Sequence, residues 1–522
     1  MTQFVRRLGF LLSCLGLAAA LASCGGGSGS GDSSDNIQGK GTVGVLLTDM
    51  PADPELFASI NATIEKVELM GSEDNGRVVL YSGGSETFDL LRLRNEAIPL
   101  TFKDDVPAGI YCKIRLTLSD LELVMTDDAV QNSGYDLTYH PRLPGNGKLD
   151  LVTRDCFNVL ADEVVTLQLD MDAGKSIHVI ENRNGFNFRP VIFIDVVDQT
   201  FDSKLVRLTG EITEVDRDGQ ALLLCDAIPR NNTNNHGCVK IHFGDDSAFF
   251  DNYRYSNMPS PPDCSGSAPA YCSGMPRAID KLLVDDNQGK TLTVVGWQKF
   301  WDLHTDEDTT SQYHPLMQLD ALVAELGEFL QLEGEVAVDA NAAEFEMAVS
   351  SGGSITFDQP LKVMLQAGGT DSTGSDFNGT RVVSKSGELL NPVDDVIEPR
   401  PVQVDGILQL ALGNDPVLQA ALVIIDEIAP GAEQVTGEII SFNGSTLNLD
   451  PDADSVCGNL TNDLVVTLAT ELDILTVTIE NSMTVIRPGG TLADGQVIGM
   501  NGTCETNGNY YTDNVVIVDD NT

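Results

Sequence analysis

A few sets of residues have types and spacing that could do chemistry. Asp450-x-Asp452-x-Asp454 begins like an EF-hand loop and would offer oxygens to Ca²⁺. Its sixth position is Ser455 rather than Gly and its twelfth is Thr461 rather than Glu, so the loop fails as an EF-hand. The clusters 306–308 and 285–287 are further oxygen-rich loops, each with a solvated acidic turn as its competing reading. Both tryptophans lie in the run 296–301, and on a strand Trp297 and Trp301 share a face ~13 Å apart. Exposed, such rings form a stacking platform for sugars; turned inward, they are core. Tyr253, Tyr255 and Tyr271 lie in or beside a Pro/Ser-rich insertion at 256–276 and could add to the same contact surface. The six histidines form no H-x-x-x-H or H-E-x-x-H pair, so zinc has no helical site. No G-x-S-x-G elbow, P-loop or G-x-G-x-x-G fingerprint occurs. Carboxylates are so numerous that any two could be nominated as a glycosidase pair, and without geometry the nomination assigns nothing. The expectation is a protein with no catalytic residues and no resident cofactor, Ca²⁺ being the one candidate left open.

The 522 residues hold 31 Lys+Arg against 78 Asp+Glu, a net charge of −47. Nucleic-acid affinity comes mostly from cations that neutralise phosphates, so this balance argues against nucleic acid and, by the same reasoning, against anionic lipid headgroups. A hydrophobic fraction of 42% is enough to build cores, which argues against disorder. Of ten cysteines, eight follow residue 24 and fall as neighbours along the chain. The predicted disulfides are Cys112–Cys156, Cys225–Cys238, Cys264–Cys272 and Cys457–Cys504, suited to an oxidising compartment.

The N-terminus reads as an export signal: Arg6 and Arg7, a short apolar stretch at 8–20, then Leu21-Ala22-Ser23-Cys24. This looks like the lipobox of bacterial lipoproteins, in which Cys24 becomes the lipidated first residue. The Gly/Ser-rich stretch that follows is a tether with a reach of ~20–24 Å. By resemblance to lipoprotein sorting in Gram-negative bacteria, Gly25 implies transfer to the outer membrane. No later stretch is long and apolar enough to span a bilayer, leaving the lipid as the expected anchor.

Period-two alternation starts at Val43, Val45 and Leu47 and reads as a half-buried strand. With the segments around 60–69, 88–91, 106–116, 167–177 and 188–191 it fits an antiparallel β-sandwich. The motifs Leu47-Thr48-Asp49-Met50-Pro51, Asp89-Leu90-Leu91, Val106-Pro107-Ala108-Gly109-Ile110-Tyr111 and Arg189-Pro190-Val191 resemble domain-of-unknown-function family 4382 of bacterial lipoproteins. The resemblance implies a transthyretin-type sandwich and carries over no catalytic residue. The Cys112–Cys156 pair and the loop 126–150 read as local additions.

An apolar-x-Gly-Glu-apolar motif then recurs at Leu208–Ile212, Leu332–Val336 and Val435–Ile439. Each copy is followed by a second apolar-Gly strand, at Gly296, Gly406 and Gly502, and by a closing apolar strand. The units are weakly similar to domain-of-unknown-function family 5666, whose members look like small antiparallel barrels. The expected fold is all-β, a transthyretin-like antiparallel sandwich followed by three small antiparallel barrel-like repeats. Expected boundaries are signal 1–23, tether 24–40, sandwich 41–203 and repeats 204–328, 329–430 and 431–522. Residues 330–522 carry 5 Lys+Arg against 30 Asp+Glu, so charge is densest far from the anchor, which would favour those units standing away from an anionic membrane.

The function these features imply is a lipid-anchored protein of the cell outer membrane that acts as a non-catalytic binding or structural module, with an envelope protein or polysaccharide as partner. The alternatives are a carbohydrate-binding surface lipoprotein using Trp297 and Trp301 and, less favoured, a carboxylate-based hydrolase.

Overall fold

The computed structural model describes residues 39–522 except 51–55, 72–75, 85, 133, 181–184, 198–204, 230–236, 253–274, 300–314, 352–356, 358, 372, 386, 410–415, 426–431, 452–463, 481–482, 505–508 and 520–522. Residues 1–38, with the leader, Cys24 and the tether, lie outside the described residues.

The first module contains β1 (Lys40–Met50), β2 (Phe57–Gly71), β3 (Arg77–Tyr81), β4 (Glu86–Asp89), β5 (Glu96–Pro107) and β6 (Gly109–Met125). It continues through β7 (Thr138–Tyr139), β8 (Lys148–Val159), β9 (Val164–Asp172), β10 (Ile177–Ile180), β11 (Gly185–Phe188) and β12 (Ile192–Val197). Strands β12-β9-β1-β5 form one layer and β8-β6-β2-β3 the other, with β4 also on β2. Val43, Val45 and Leu47 of one layer meet Ile64, Val67, Leu69, Ile114 and Leu116 of the other in a core without solvent contact. Each such side chain contributes ~1.5–3 kcal/mol by leaving water.

Two expectations change here. β1 and β9 run parallel from Thr42 to Met50, so the module is not wholly antiparallel. β1 is also buried on both faces rather than one, because Leu46 turns outward, with Phe102, into the core of the next module. Gly44 makes this packing fit: a Cβ there would lie 2.2 Å from the Phe102 ring.

The second module holds β13 (Leu205–Asp216), β14 (Ala221–Cys225), β15 (Val239–Asp251), β16 (Met275–Arg277), β17 (Thr291–Lys299) and β18 (Met317–Leu326). The third holds β19 (Leu330–Val338), β20 (Glu344–Ser351), β21 (Leu361–Leu365), β22 (Gly369–Thr370), β23 (Asp376–Phe377), β24 (Arg381–Ser384), β25 (Pro401–Gln409) and β26 (Val417–Ile425). The last holds β27 (Ala432–Phe442), β28 (Thr446–Pro451), β29 (Leu464–Glu480), β30 (Met483–Pro488), β31 (Val497–Cys504) and β32 (Tyr510–Asp519).

All three modules close in the same order. They are β13-β14-β15-β18-β17-β13, β19-β20-β21-β26-β25-β19 and β27-β28-β29-β32-β31-β27. The third and fifth strands of each run parallel, which amends the expectation of antiparallel barrels. This is a five-stranded Greek-key barrel of the OB type.

The recurring glycines explain the closure. A Cβ at Gly210, Gly334 or Gly437 would meet the carbonyl oxygen of the second strand at 2.4, 2.1 or 2.2 Å. At Gly296, Gly406 and Gly502 it would meet a fifth-strand carbonyl at 2.2, 2.4 or 2.0 Å. Each of this second set sits at a register shift in its ladder. A tight barrel must bend its strands sharply, and a bulge with no side chain at the bend permits it.

The modules share sheets as well as surfaces. β13 pairs in parallel with β5 at Glu96 and Ala97, and β30 pairs in parallel with β8 from Leu149 to Leu151. Leu475, Val477, Ile486 and Val516 of the last barrel join the sandwich core. The most acidic units are therefore packed against the first module.

Candidate functional site: a buried carboxylate cluster where three modules meet

Arg207 extends from β13 in the apolar run Leu205-Val206-Arg207-Leu208. Its Nε and Nη2 donate to Oε2 and Oε1 of Glu96 at 2.8 and 2.9 Å, a bidentate pair that joins the second module to the sandwich. Nη2 also donates to Oδ2 of Asp405 on β25 of the third module, and Nη1 lies 3.9 Å from Oε2 of Glu325 on β18. Glu96 Oε2 further accepts from Gln403 Nε2 at 2.7 Å and Gln331 Nε2 at 3.1 Å, and Gln403 Oε1 accepts from Asn95 Nδ2 at 3.3 Å. The pairings Gln331–Asp405 and Glu333–Gln403 between β19 and β25 set this polar group in register.

One guanidinium thus faces three carboxylates, and Glu96, Glu325 and Asp405 are each 1% exposed. Burial with a single counter-charge cannot hold three anions, so protons must make up the balance. Burial, reinforced by the neighbouring Asp405, pushes the Glu325 carboxyl well above its usual range. Burial pushes Asp405 up to about 6 against the pull of Arg207. Adjacent Glu333, partly accessible as a residue but with Oε1 enclosed and without a donor, is pushed by burial up to about 7. Burial opposes the charge of Arg207, but Asp405, Glu96 and Glu325 more than offset it and hold the guanidinium protonated. The cluster can bind protons and cement three modules. Its acids are too enclosed to meet a substrate.

A second contact joins the same two barrels. Asn378 Nδ2 donates to the carbonyls of Asp245 and Ser247 at 2.7 and 2.8 Å, and Lys281 Nζ reaches Thr373 Oγ1 at 3.1 Å and Asp371 Oδ2 at 3.5 Å. Beneath lies an apolar seam of Phe250, Val295 and Leu322 against Val383, Leu422 and Ile424.

Residues 40–190 match the family described as a domain of unknown function (DUF4382). The match covers the sandwich from β1 through β11 and ends just before β12. No curated protein and no solved structure matches the chain.

Beyond the DUF4382-like module, only some of the residues singled out in the sequence are among the described residues. Trp297 is half-buried and packs into the barrel–barrel seam, its Nε1 only 2.5 Å from where a Cβ on Gly387 would lie. Trp301, Tyr253, Tyr255 and Tyr271 lie outside the described residues. Asp450 is exposed on β28, while Asp452 and Asp454 lie outside the described residues. Asp285–Asn287 is a short 3-10 turn in which Asn287 Nδ2 donates to the carbonyls of Lys281 and Leu282. Among the described residues no group of three His, Cys, Asp or Glu could hold a metal ion. Cys112–Cys156 and Cys225–Cys238 are bonded. Cys264, Cys272 and Cys457 lie outside the described residues, and with them the other two pairs.

The cluster of Glu96, Arg207, Glu325 and Asp405 went unnoticed in the sequence. Its one signal was a lone charge inside an apolar strand, as in Val404-Asp405-Gly406-Ile407 and Ala324-Glu325-Leu326.

Proposed function

We propose that this is a lipid-anchored protein of the bacterial outer membrane whose four β modules act as one non-catalytic binding or structural body. The observation that carries the reading is the junction itself: continuous sheets and the cluster around Arg207 tie the sandwich to the barrels, as a scaffold requires. The lipobox ending in Cys24 supports the anchor, and the two disulfides fit an oxidising envelope. The repeated Gly-Glu barrels, weakly similar to family 5666, and the transthyretin-like reading of the sandwich agree with an envelope protein. The anchor is tested by Cys24→Ala, which should abolish labelling by a fatty-acid probe and move the protein to the soluble fraction. Unchanged labelling would sink the anchor.

One topological fact keeps the carbohydrate reading alive. The connection between β17 and β18, residues 300–316, carries Trp301 and joins the fourth and fifth strands of its barrel. In OB-type barrels that connection borders the oligosaccharide-binding face. Polysaccharide pull-down with Trp301→Ala decides it, because binding that survives the substitution removes the aromatic platform. Trp297, packed in the seam, lends this reading no support.

A further inference from the structure

The net charge of −47 conceals a local reversal on one part of the solvent face of the β8-β6-β2-β3 layer, beyond which the same face of β2 and β6 carries Glu65, Asp120 and Glu122. Cross-strand partners share a face, and their registers give three rows. One row is Arg77–Met70–Lys113–Val152 and the next is Val79–Glu68–Arg115–Asp150–Val485. A third is Lys66–Thr117–Lys148. The intervening residues Ile64, Leu69, Ile114, Leu116, Leu149 and Leu151 point into the core. Arg487 joins the face from β30, donating to Thr478 Oγ1 at 3.4 Å. Six of the chain's 31 Lys and Arg thus stand around two acids on these rows.

Both acids are sunk among the cations. Glu68 takes Lys66 and Arg77, while Asp150 takes Lys113 Nζ at 3.0 Å and Arg115 Nη2 at 2.8 Å. The carboxylates are 1% and 3% exposed, whereas Lys66, Arg77 and Lys113 keep 32%, 48% and 34% of their side chains in solvent. Negative charge is buried and positive charge is presented. The two inner anions also hold the cations in place, which lowers the ordering cost of meeting an outer one.

The position of the face indicates what it meets. The Gly39 carbonyl accepts from Ala108 N at 3.0 Å, so the tether leaves beside the start of β6, about 13 Å along that strand from Lys113. A tether reaching ~20–24 Å spans that gap. We infer that the basic face of the β8-β6-β2-β3 layer docks on an anionic lipid surface. The inference rests on the anchor reading for its geometry, and it departs from the exclusion of anionic lipid drawn from whole-chain charge. At a Debye length of ~8 Å, local charge rather than net charge governs contact.

The test uses the full chain carrying Cys24→Ala, so that its outcome does not depend on lipidation, mixed with sedimentable vesicles. Binding to phosphatidylcholine vesicles measures what the apolar leader contributes. Phosphatidylglycerol added to the vesicles should raise the bound fraction at ~20 mM salt, and ~300 mM salt should reverse the gain. Lys66→Gln/Lys113→Gln/Lys148→Gln leaves the Arg77–Glu68 and Arg115–Asp150 pairs intact and should lower the charge-dependent partition by about 100-fold, roughly fivefold per lysine. Circular dichroism confirms that the variant is folded. Equal binding to both vesicles, or an unchanged partition of the triple variant, overturns the inference. Salt-sensitive sedimentation of the protein without vesicles overturns it in favour of a second copy of this chain.

Discussion

Arg207 shows how one side chain can serve three modules at once. Removing it would leave Glu96, Glu325 and Asp405 enclosed without a counter-charge, so Arg207→Ala should cost about 3–5 kcal/mol in urea unfolding. The carboxyls also give stability a pH dependence whose sign is fixed. Asp405 and Glu333, raised to about 6 and about 7, bind their protons more tightly folded than unfolded. Their contribution is full below the unfolded pKa near 4 and is lost as pH rises through about 6 and about 7. Glu68 and Asp150 act oppositely: burial would raise them, but Lys66 with Arg77, and Arg115 with Lys113, hold them low, so their contribution is lost in stronger acid. The melting temperature should therefore peak in mild acid and fall toward pH 8. Asp405→Asn should flatten the fall by on the order of 3 kcal/mol at most, and a profile unchanged by that substitution would refute the assignment.

At the scale of elements, the glycines at the strand bends are testable one by one. Gly210→Ala, Gly334→Ala and Gly406→Ala each drive a methyl into a backbone carbonyl and should cost ~2–3 kcal/mol in urea titration. Gly499→Ala is the internal control, since its Cβ would lie 3.6 Å from Thr436 Cγ2, an ordinary contact. These glycines were legible in the sequence because they repeat in register, while the barrels themselves were expected from the resemblance to family 5666. The strand alternation of Val43, Val45 and Leu47 was equally legible, since one buried face writes a period of two. The second buried face of β1 was not, because most of the core that Leu46 enters comes from Val206 onward, 160 or more positions away. The Arg207 cluster stayed hidden for the same reason: its partners are separated by 111 and 198 residues, and no local pattern brings them together. The seam of the two middle barrels gives Trp297 a packing role, so Trp297→Ala should lower the melting temperature of the whole protein.

At the scale of the whole molecule, shared sheets and a shared charge cluster predict common unfolding. The change in tryptophan fluorescence and the loss of far-ultraviolet circular dichroism should coincide in urea. Separate transitions would show the barrels to be independent beads. The pairing of β8 with β30 has a consequence for how the chain is made. Residues 148–159 emerge early and residues 483–488 near the end, yet the two are neighbours in one sheet. Until the last barrel arrives, β8 is an open sheet edge, able to pair with any extended strand nearby. If, as proposed, the chain is exported N-terminus first, it would carry that exposed edge until the last barrel follows. Stalled or truncated chains lacking the last barrel would keep it, making them the species most in need of a chaperone.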